Sequence, residues 1–394
     1  MLRFILAALL LRCAPAFADA GLDAIRASVM SMRGKPTNAG PRGATAELTN
    51  AKHLLRDWAE LQVVKLPRDG DAAALQKNLN SQLRQSGLTC SWTPADKAPC
   101  PDWSQLGYVG DVQFHWSSGF LVLLTGVGIE CGYDESAYVY SWSNESWRRV
   151  WQNEQNAYTE KKYKPQSIEK VLISVDASGN DYIALTLGTQ SWCESNWHDV
   201  YFRAFHMGAA AAPLIDEAQL ANVEDEPLNG SVRHDDVLVE FTGQSLTSGN
   251  LIRTAVFHYR IEGNAARRID PLALSPLDFV DEWLAAKWKE AASWSESANL
   301  TRMRAGHDQL HRSGEPIEPT MRCPTLYNVW QVGIDFSDSA EAGENLGKVY
   351  FLVRWTPPYV FRMVRVSNAP SPACTQKDPQ ADESRTLFPT VDWR

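Results

Sequence analysis

Three stretches of this chain, Phe120-Leu-Val-Leu-Leu-Thr-Gly126, Tyr182-Ile-Ala-Leu-Thr-Leu-Gly188 and Val237-Leu-Val-Glu-Phe-Thr-Gly243, can be laid over one another. Each is a short apolar run ending in glycine and bounded by turn residues, the pattern of a buried strand. At the offset that superposes the first two, Cys131 falls on Cys193, and Tyr138-Val139-Tyr140 falls on Val200-Tyr201-Phe202. The third copy supplies Thr254-Ala255-Val256-Phe257-His258-Tyr259, and its Arg267-Arg268-Ile269 echoes Arg148-Arg149-Val150. A preceding strand reads at 111–116 and 170–175 in the first two copies. Units of roughly sixty residues with up to four short strands cannot bury an apolar face alone, so neighbouring copies must cover it. The expectation for 107–275 is therefore a β-rich repeat region of three copies, propeller-blade-like or a sandwich.

Outward from this region the pattern turns helical. Ala51, Leu54, Leu55, Trp58 and Leu61 recur at helical spacing, as do Leu75, Leu79 and Leu83. Segment 47–106 thus reads as helical and ends in a Cys90–Cys100 loop. On the other side, Pro276-Leu277-Asp278 resembles a helix start, with Phe279, Val280, Trp283, Leu284, Trp288 and Ala291 along one side to about Ser295. A second helix is predicted over 300–311. Strands follow at 327–336, 348–355 and 359–366, with an acidic loop at 337–347 and a Pro357-Pro358 turn. The fold class is mainly β with α, of the α+β type. Its expected divisions are a signal segment 1–20, a flexible lead-in 21–46, the helical segment 47–106, the repeats 107–275, a helix plus antiparallel sheet unit 276–376 and a tail 377–394.

The first twenty residues set the compartment. Arg3 precedes a short apolar run from Phe4 to Leu11, and small residues follow in Ala16-Phe17-Ala18-Asp19-Ala20. That is the pattern of a secretory signal with an A-x-A cleavage site after Ala18 or Ala20. Cleavage discards Cys13 and leaves Cys90, Cys100, Cys131, Cys193, Cys323 and Cys374, an even set suited to disulfides in an oxidising compartment. Sequence proximity favours Cys90–Cys100, and Cys323 with Cys374 brackets the C-terminal strands. The formal net charge is −9, which argues against a nucleic-acid partner. No later apolar run approaches the length of a membrane span. The expected location is secreted or periplasmic.

The densest candidate site is Trp192-Cys193-Glu194-Ser195-Asn196-Trp197-His198-Asp199, between two predicted strands of the second copy. Loops at the ends of a β scaffold are where binding groups sit. Trp192 and Trp197 can stack a ligand while Glu194, His198 and Asp199 hydrogen-bond it; the competing reading is a disulfide-pinned loop with packed tryptophans. The fifteen tryptophans of the chain read first as packing and second as platforms for sugar rings. His307 and His311 stand four apart on one helical face, a spacing that can chelate zinc, but no third ligand is recognisable. His234-Asp235-Asp236 lacks any marked serine partner, and no nucleophile elbow, phosphate loop or dinucleotide fingerprint is present. No cofactor is expected. These features point to a non-enzymatic binding or scaffold protein of the cell envelope, its ligand extracytoplasmic and carbohydrate a candidate. The alternative is a hydrolase of polysaccharide or peptidoglycan working through acidic residues.

Overall fold

In a computed structural model the described residues are 14–33, 45–90, 106–129, 132–155, 166–179, 181–190, 197–208, 212–222, 228–245, 252–310, 314–337 and 347–381. They divide into two compact units, Met1–Pro213 and Leu214–Arg394. The architecture is α+β, strand-rich, with every pairing between its strands antiparallel.

The first unit opens with helices α1 (Ala14–Met30), α2 (Thr45–Val63) and α3 (Ala72–Gln85). Strands β1 (Gln113–Ser117), β2 (Phe120–Ile129), β3 (Gly132–Ser143) and β4 (Ser146–Asn153) then form a four-stranded meander. Next come β5 (Gln166–Val175), β6 (Tyr182–Gln190) and β7 (Trp197–His206), each paired with the next. Side chains alternate across a strand, and both faces of β2 are buried throughout. Leu121, Leu123, Tyr138 and Tyr140 face a core shared with Ile25, Leu55, Leu79 and Leu83 of the helices. Val122, Leu124, Ala137 and Val139 face the other way, into a core with Val171, Ile173 and Ala184 of the second sheet. The unit is therefore three layers, with helices, the first sheet and the second sheet stacked in turn.

One sequence expectation changes here. The lead-in 21–46 reads as flexible in sequence, yet its first part belongs to α1 and its end. Leu22, Ile25, Val29 and Met32 are all buried. They recur at helical spacing, a pattern outweighed in the sequence by the Gly and Pro residues of 34–43. Residues 1–13 and 34–44 lie outside the described residues.

In the second unit, β8 (Ile215–Asn222) and β9 (Asn229–Arg233) both pair with β10 (Asp236–Gln244), which continues to β11 (Ile252–Glu262) and β12 (Ala265–Arg268). The predicted long helix at 276–295 is instead two, α4 (Pro276–Ala285) and α5 (Trp288–Ser293). Ala286 and Lys287 between them are extended. The break turns the Ala286 carbonyl toward His307 Nε2, 2.9 Å away, on the following helix α6 (Leu300–Gln309). A second meander follows: β13 (Glu315–Arg322), β14 (Val329–Asp335), β15 (Lys348–Thr356) and β16 (Val360–Ser367), with the short β17 (Gln376–Lys377) against β13. The predicted strands of this region are present, and β13 adds one that sequence reading misses. Cys323 and Cys374 form a disulfide, and Cys90 is also disulfide-bonded. Cys100, Cys131 and Cys193 lie outside the described residues.

The repeat has a steric basis. Gly126, Gly188 and Gly243 lie on β2, β6 and β10, and the residues opposite them on the next strand are Glu135, Tyr201 and Arg253. Gly333 of β14 stands likewise opposite Tyr350, a fourth member not visible in the alignment. A Cβ at Gly126 would lie 3.0 Å from Tyr133 Cβ and 3.1 Å from Glu135 Cγ. At Gly188 it would collide with the Ser167 carbonyl oxygen. The glycine thus makes room where a large side chain or a backbone crosses the strand end. Because backbone cannot swing aside as a side chain can, Gly188→Ala is expected to cost about 3 kcal/mol by overpacking, and Gly243→Ala, which meets Ala255 Cβ at 3.2 Å, about 1 kcal/mol. Urea unfolding of the two variants checks the order.

Candidate functional site

Strand β3 begins Gly132-Tyr133-Asp134-Glu135-Ser136. Adjacent residues of a strand point to opposite faces, so its two carboxylates serve different layers. Asp134 faces the helices, where Lys52 Nζ of α2 lies 3.2 Å from its Oδ2 with both side chains buried. Lys52 also donates to the Gln155 carbonyl at 3.0 Å. Beside this pair, Glu154 is fully buried and meets His53 at 3.0 Å and Arg56 at 3.1 Å, and accepts from the Tyr138 hydroxyl. Burial first, and then the Glu154 charge, push the Tyr138 phenol well above its usual range. These ions bolt α2 to the first sheet.

Glu135 faces the second sheet. Its Oε2 accepts from the Ile168 backbone N–H at 2.5 Å and the Ser167 hydroxyl at 3.2 Å. Ile168 stands at the β5 irregularity, where register shifts between it and Lys170. The carboxyl therefore satisfies an N–H at a break in the β5 ladder. Burial raises the Glu135 pKa to about 7; the Ile168 and Ser167 hydrogen bonds oppose the rise, and the nearby Asp134 and Glu169 charges add to it.

From Glu135 a belt of polar groups crosses the strand ends of the second sheet. Gln166, buried, pairs in register with Gln190 and accepts from Arg203 Nη1 at 3.0 Å. The Arg203 guanidinium lies 5.6 Å from the Tyr201 ring centroid. The Tyr201 hydroxyl donates to Gln190 Oε1 at 3.0 Å, and His198 Nδ1 lies 2.8 Å from the Gln190 carbonyl oxygen, a donor's position. The apolar core between the sheets thus ends in a belt of one carboxyl, one guanidinium, two amides, a phenol and an imidazole. Proton exchange at Glu135 and hydrogen bonding of both polarities are within its chemistry.

Of the residues singled out in sequence, Trp197, His198 and Asp199 open β7, where His198 joins this belt, and are half-buried. Trp192 and Glu194 lie outside the described residues. His307 is elsewhere, 5% exposed, with its ring edge-on to Trp283 and near Trp288 at 4.9 and 5.4 Å between centroids. Its Nε2 is held by the Ala286 carbonyl, the environment of a core histidine; His311 lies outside the described residues. No group of three or more His, Cys, Asp or Glu among the described residues is placed to hold a metal ion. Sequence reading does not single out Glu135, Gln166, Tyr201 or Arg203. The signal that could have found them is an adjacent acidic pair heading a strand that pairs with one buried on both faces.

The second unit has its own buried charge cluster. Arg253 Nε lies 2.6 Å from Asp281 Oδ2, and Arg253 also pairs with Glu282. Arg268 reaches the other Glu282 oxygen at 2.6 Å and stacks over Phe257 at 4.3 Å. Ser245 donates to Asp281 at 3.1 Å. Burial opposes ionisation of Glu282, but Arg268 and Arg253 together hold its carboxyl below the usual range. Burial likewise opposes the Arg253 charge, and Glu282 and Asp281 outweigh it. The charges saturate one another, so the cluster fastens α4 to β11 and β12.

No protein-family model matches the chain, and no curated protein matches it. Among solved structures it is similar to a BT0996 RGII complex (9% identity, 76% of this chain and 99% of that one, TM-score 0.23). It is also similar to an inulosucrase from Halalkalicoccus jeotgali bound to kestose (9% identity, 62% and 66%, TM-score 0.21) and to a glycoside hydrolase (8% identity, 71% and 92%, TM-score 0.22).

The buried carboxyls make stability depend on pH in opposite senses. Because the Glu135 pKa is raised on folding, its contribution to stability is fully present below the ordinary 4.5, falls as pH rises toward about 7 and is constant above. Glu135→Gln is expected to remove that slope in urea melts between pH 4 and 8. Glu282 is depressed instead, so its contribution is present above its ordinary pKa and is lost as pH falls through the folded value. Glu282→Gln, which strands two buried guanidiniums, is expected to cost about 3–5 kcal/mol at pH 7.

Proposed function

We propose that this chain is an extracytoplasmic binding or scaffold protein of the cell envelope whose ligand docks at the polar belt of the first unit. The leader pattern and the Cys323–Cys374 disulfide support the compartment, since disulfides persist where thiols can oxidise. Among the described residues, no helix is long and apolar enough to cross a membrane. The observation that carries the reading is the belt of Arg203, Gln166, Gln190, Tyr201 and His198 at the end of an apolar inter-sheet core. Planar amide and guanidinium groups beside a half-buried tryptophan, Trp197, suit a polyol such as a sugar: hydroxyls meet the polar groups and a C–H face meets the indole. Trp192, Glu194 and Asp199 complete the proposed contacts.

The rival reading is a hydrolase of polysaccharide or peptidoglycan. What favours it is Glu135, a carboxyl brought to about 7 and so matched to acid catalysis near neutral pH. Such chemistry normally requires a second carboxylate at a fixed separation; Glu169, next to Ile168 and close enough for its charge to act on Glu135, is the candidate.

A glycan array followed by titration calorimetry, run beside chromogenic glycosides, separates the two. Binding without turnover is expected, with Arg203→Ala weakening it by about tenfold or more, the worth of a charged hydrogen bond. Turnover that disappears in Glu135→Gln would establish the hydrolase instead.

A further inference from the structure

In the second unit a cleft of about 310 Å³ lies between α6 and β16, lined by Asn299, Arg302 and Met303 on one wall and Arg365, Val366 and Ser367 on the other. That volume sits at the small end of ligand sites. Its two arginines differ from their neighbours. Arg354 is paired with Glu296 at 2.6 Å, Arg362 with Asp270 at 3.0 Å and Arg304 with Asp308 at 3.7 Å. Among the described residues, Arg302 and Arg365 have neither an ion pair nor a side-chain hydrogen bond. In a chain of net charge −9, two cations thus stand on one cleft with no carboxylate paired to either among the described residues.

The remaining lining is consistent with an anion. Asn299 occupies the N-cap position of α6, yet its side chain makes no capping hydrogen bond, so its amide can donate into the cleft. The Ser367 hydroxyl donates to the Ala369 carbonyl at 2.8 Å, which fixes its rotamer. The walls are packed together: a Cβ at Gly306 would touch Val366 at 3.4 Å, so α6 lies directly on β16, and Met303 is 1% exposed, while Arg302 and Arg365 are exposed. Met303 and Val366 supply an apolar floor. Guanidinium forks match the paired oxygens of phosphate and sulfate.

We propose that this cleft binds a small ligand through a tetrahedral oxyanion, phosphate or sulfate, gripped by Arg302 and Arg365. The oxyanion has two sources, a free phosphate or a sulfated sugar. This proposal does not depend on the function of the polar belt in the first unit.

Titration calorimetry on the full chain with inorganic phosphate and with a sulfated disaccharide tests it. At least one probe is expected to bind at a single site, with affinity falling as salt rises. Arg302→Ala and Arg365→Ala are each expected to weaken binding about tenfold or more, and Arg302→Lys, which keeps charge but loses the fork, to fall between. A sulfated sugar that binds more tightly than phosphate assigns the source to a glycan; equal or weaker binding assigns it to the free anion. If an alanine variant fails to fold by circular dichroism, Arg365→Lys replaces it, with weakened binding still expected. Binding unchanged in the arginine variants, or no binding of either probe at millimolar concentration, overturns the proposal.

Discussion

The first unit depends on two adjacent carboxylates, Asp134 and Glu135, in a strand held between the helices and the second sheet. Because neighbours in a strand point apart, one must be neutralised against the helices and the other against the second sheet. Lys52 meets the first and the Ile168 N–H with Ser167 meets the second. A buried charge without a partner costs several kcal/mol, so these contacts set where α2 and β5 can lie on the first sheet. Apolar packing on either side supplies attraction, but it is not directional; the carboxylates supply position.

The same position in the repeat carries charge again in the second unit. Opposite its glycine, β3 places Glu135 and β11 places Arg253, while β7 and β15 place tyrosines. Where the residue is charged, a partner element has been recruited: β5 for Glu135, and α4 with its Asp281 and Glu282 for Arg253. Where it is tyrosine, no such strap is needed. The two straps differ in what they leave over. Arg253 is enclosed by carboxylates, whereas Glu135 has one oxygen engaged by two donors and the other outside those bonds. That difference makes the Arg253 cluster a fastening and Glu135 a group able to exchange a proton.

Much of the architecture is legible in the sequence because it rests on apolar period and glycine. The three aligned runs fall on β2, β6 and β10, and at each terminal glycine a Cβ would meet a neighbour closely, a side chain at Gly126 and Gly243 and backbone at Gly188. The helical spacing of 51–61 and 75–83 falls on α2 and α3. What is not legible depends on partners distant in sequence. Ala286 breaks the predicted 276–295 helix because His307, far along the chain, takes its carbonyl. The fourth repeat member, Gly333, sits in Val-Trp-Gln-Val-Gly-Ile-Asp, too unlike the other runs to align. Within the candidate site, Trp197, His198 and Asp199 stand out as a dense polar–aromatic stretch. Gln166, Arg203 and Glu135 do not, because ordinary polar residues become a belt only when β3, β5, β6 and β7 end side by side.

The most direct test is the titration of Glu135 itself, followed by carboxyl carbon resonance with Glu135→Gln to assign the signal. Burial against Ile168 and Ser167 predicts a midpoint near 7. A midpoint at the ordinary 4.5 would mean that the carboxyl is solvated, that the two sheets are not joined through it, and that the belt is not built as described.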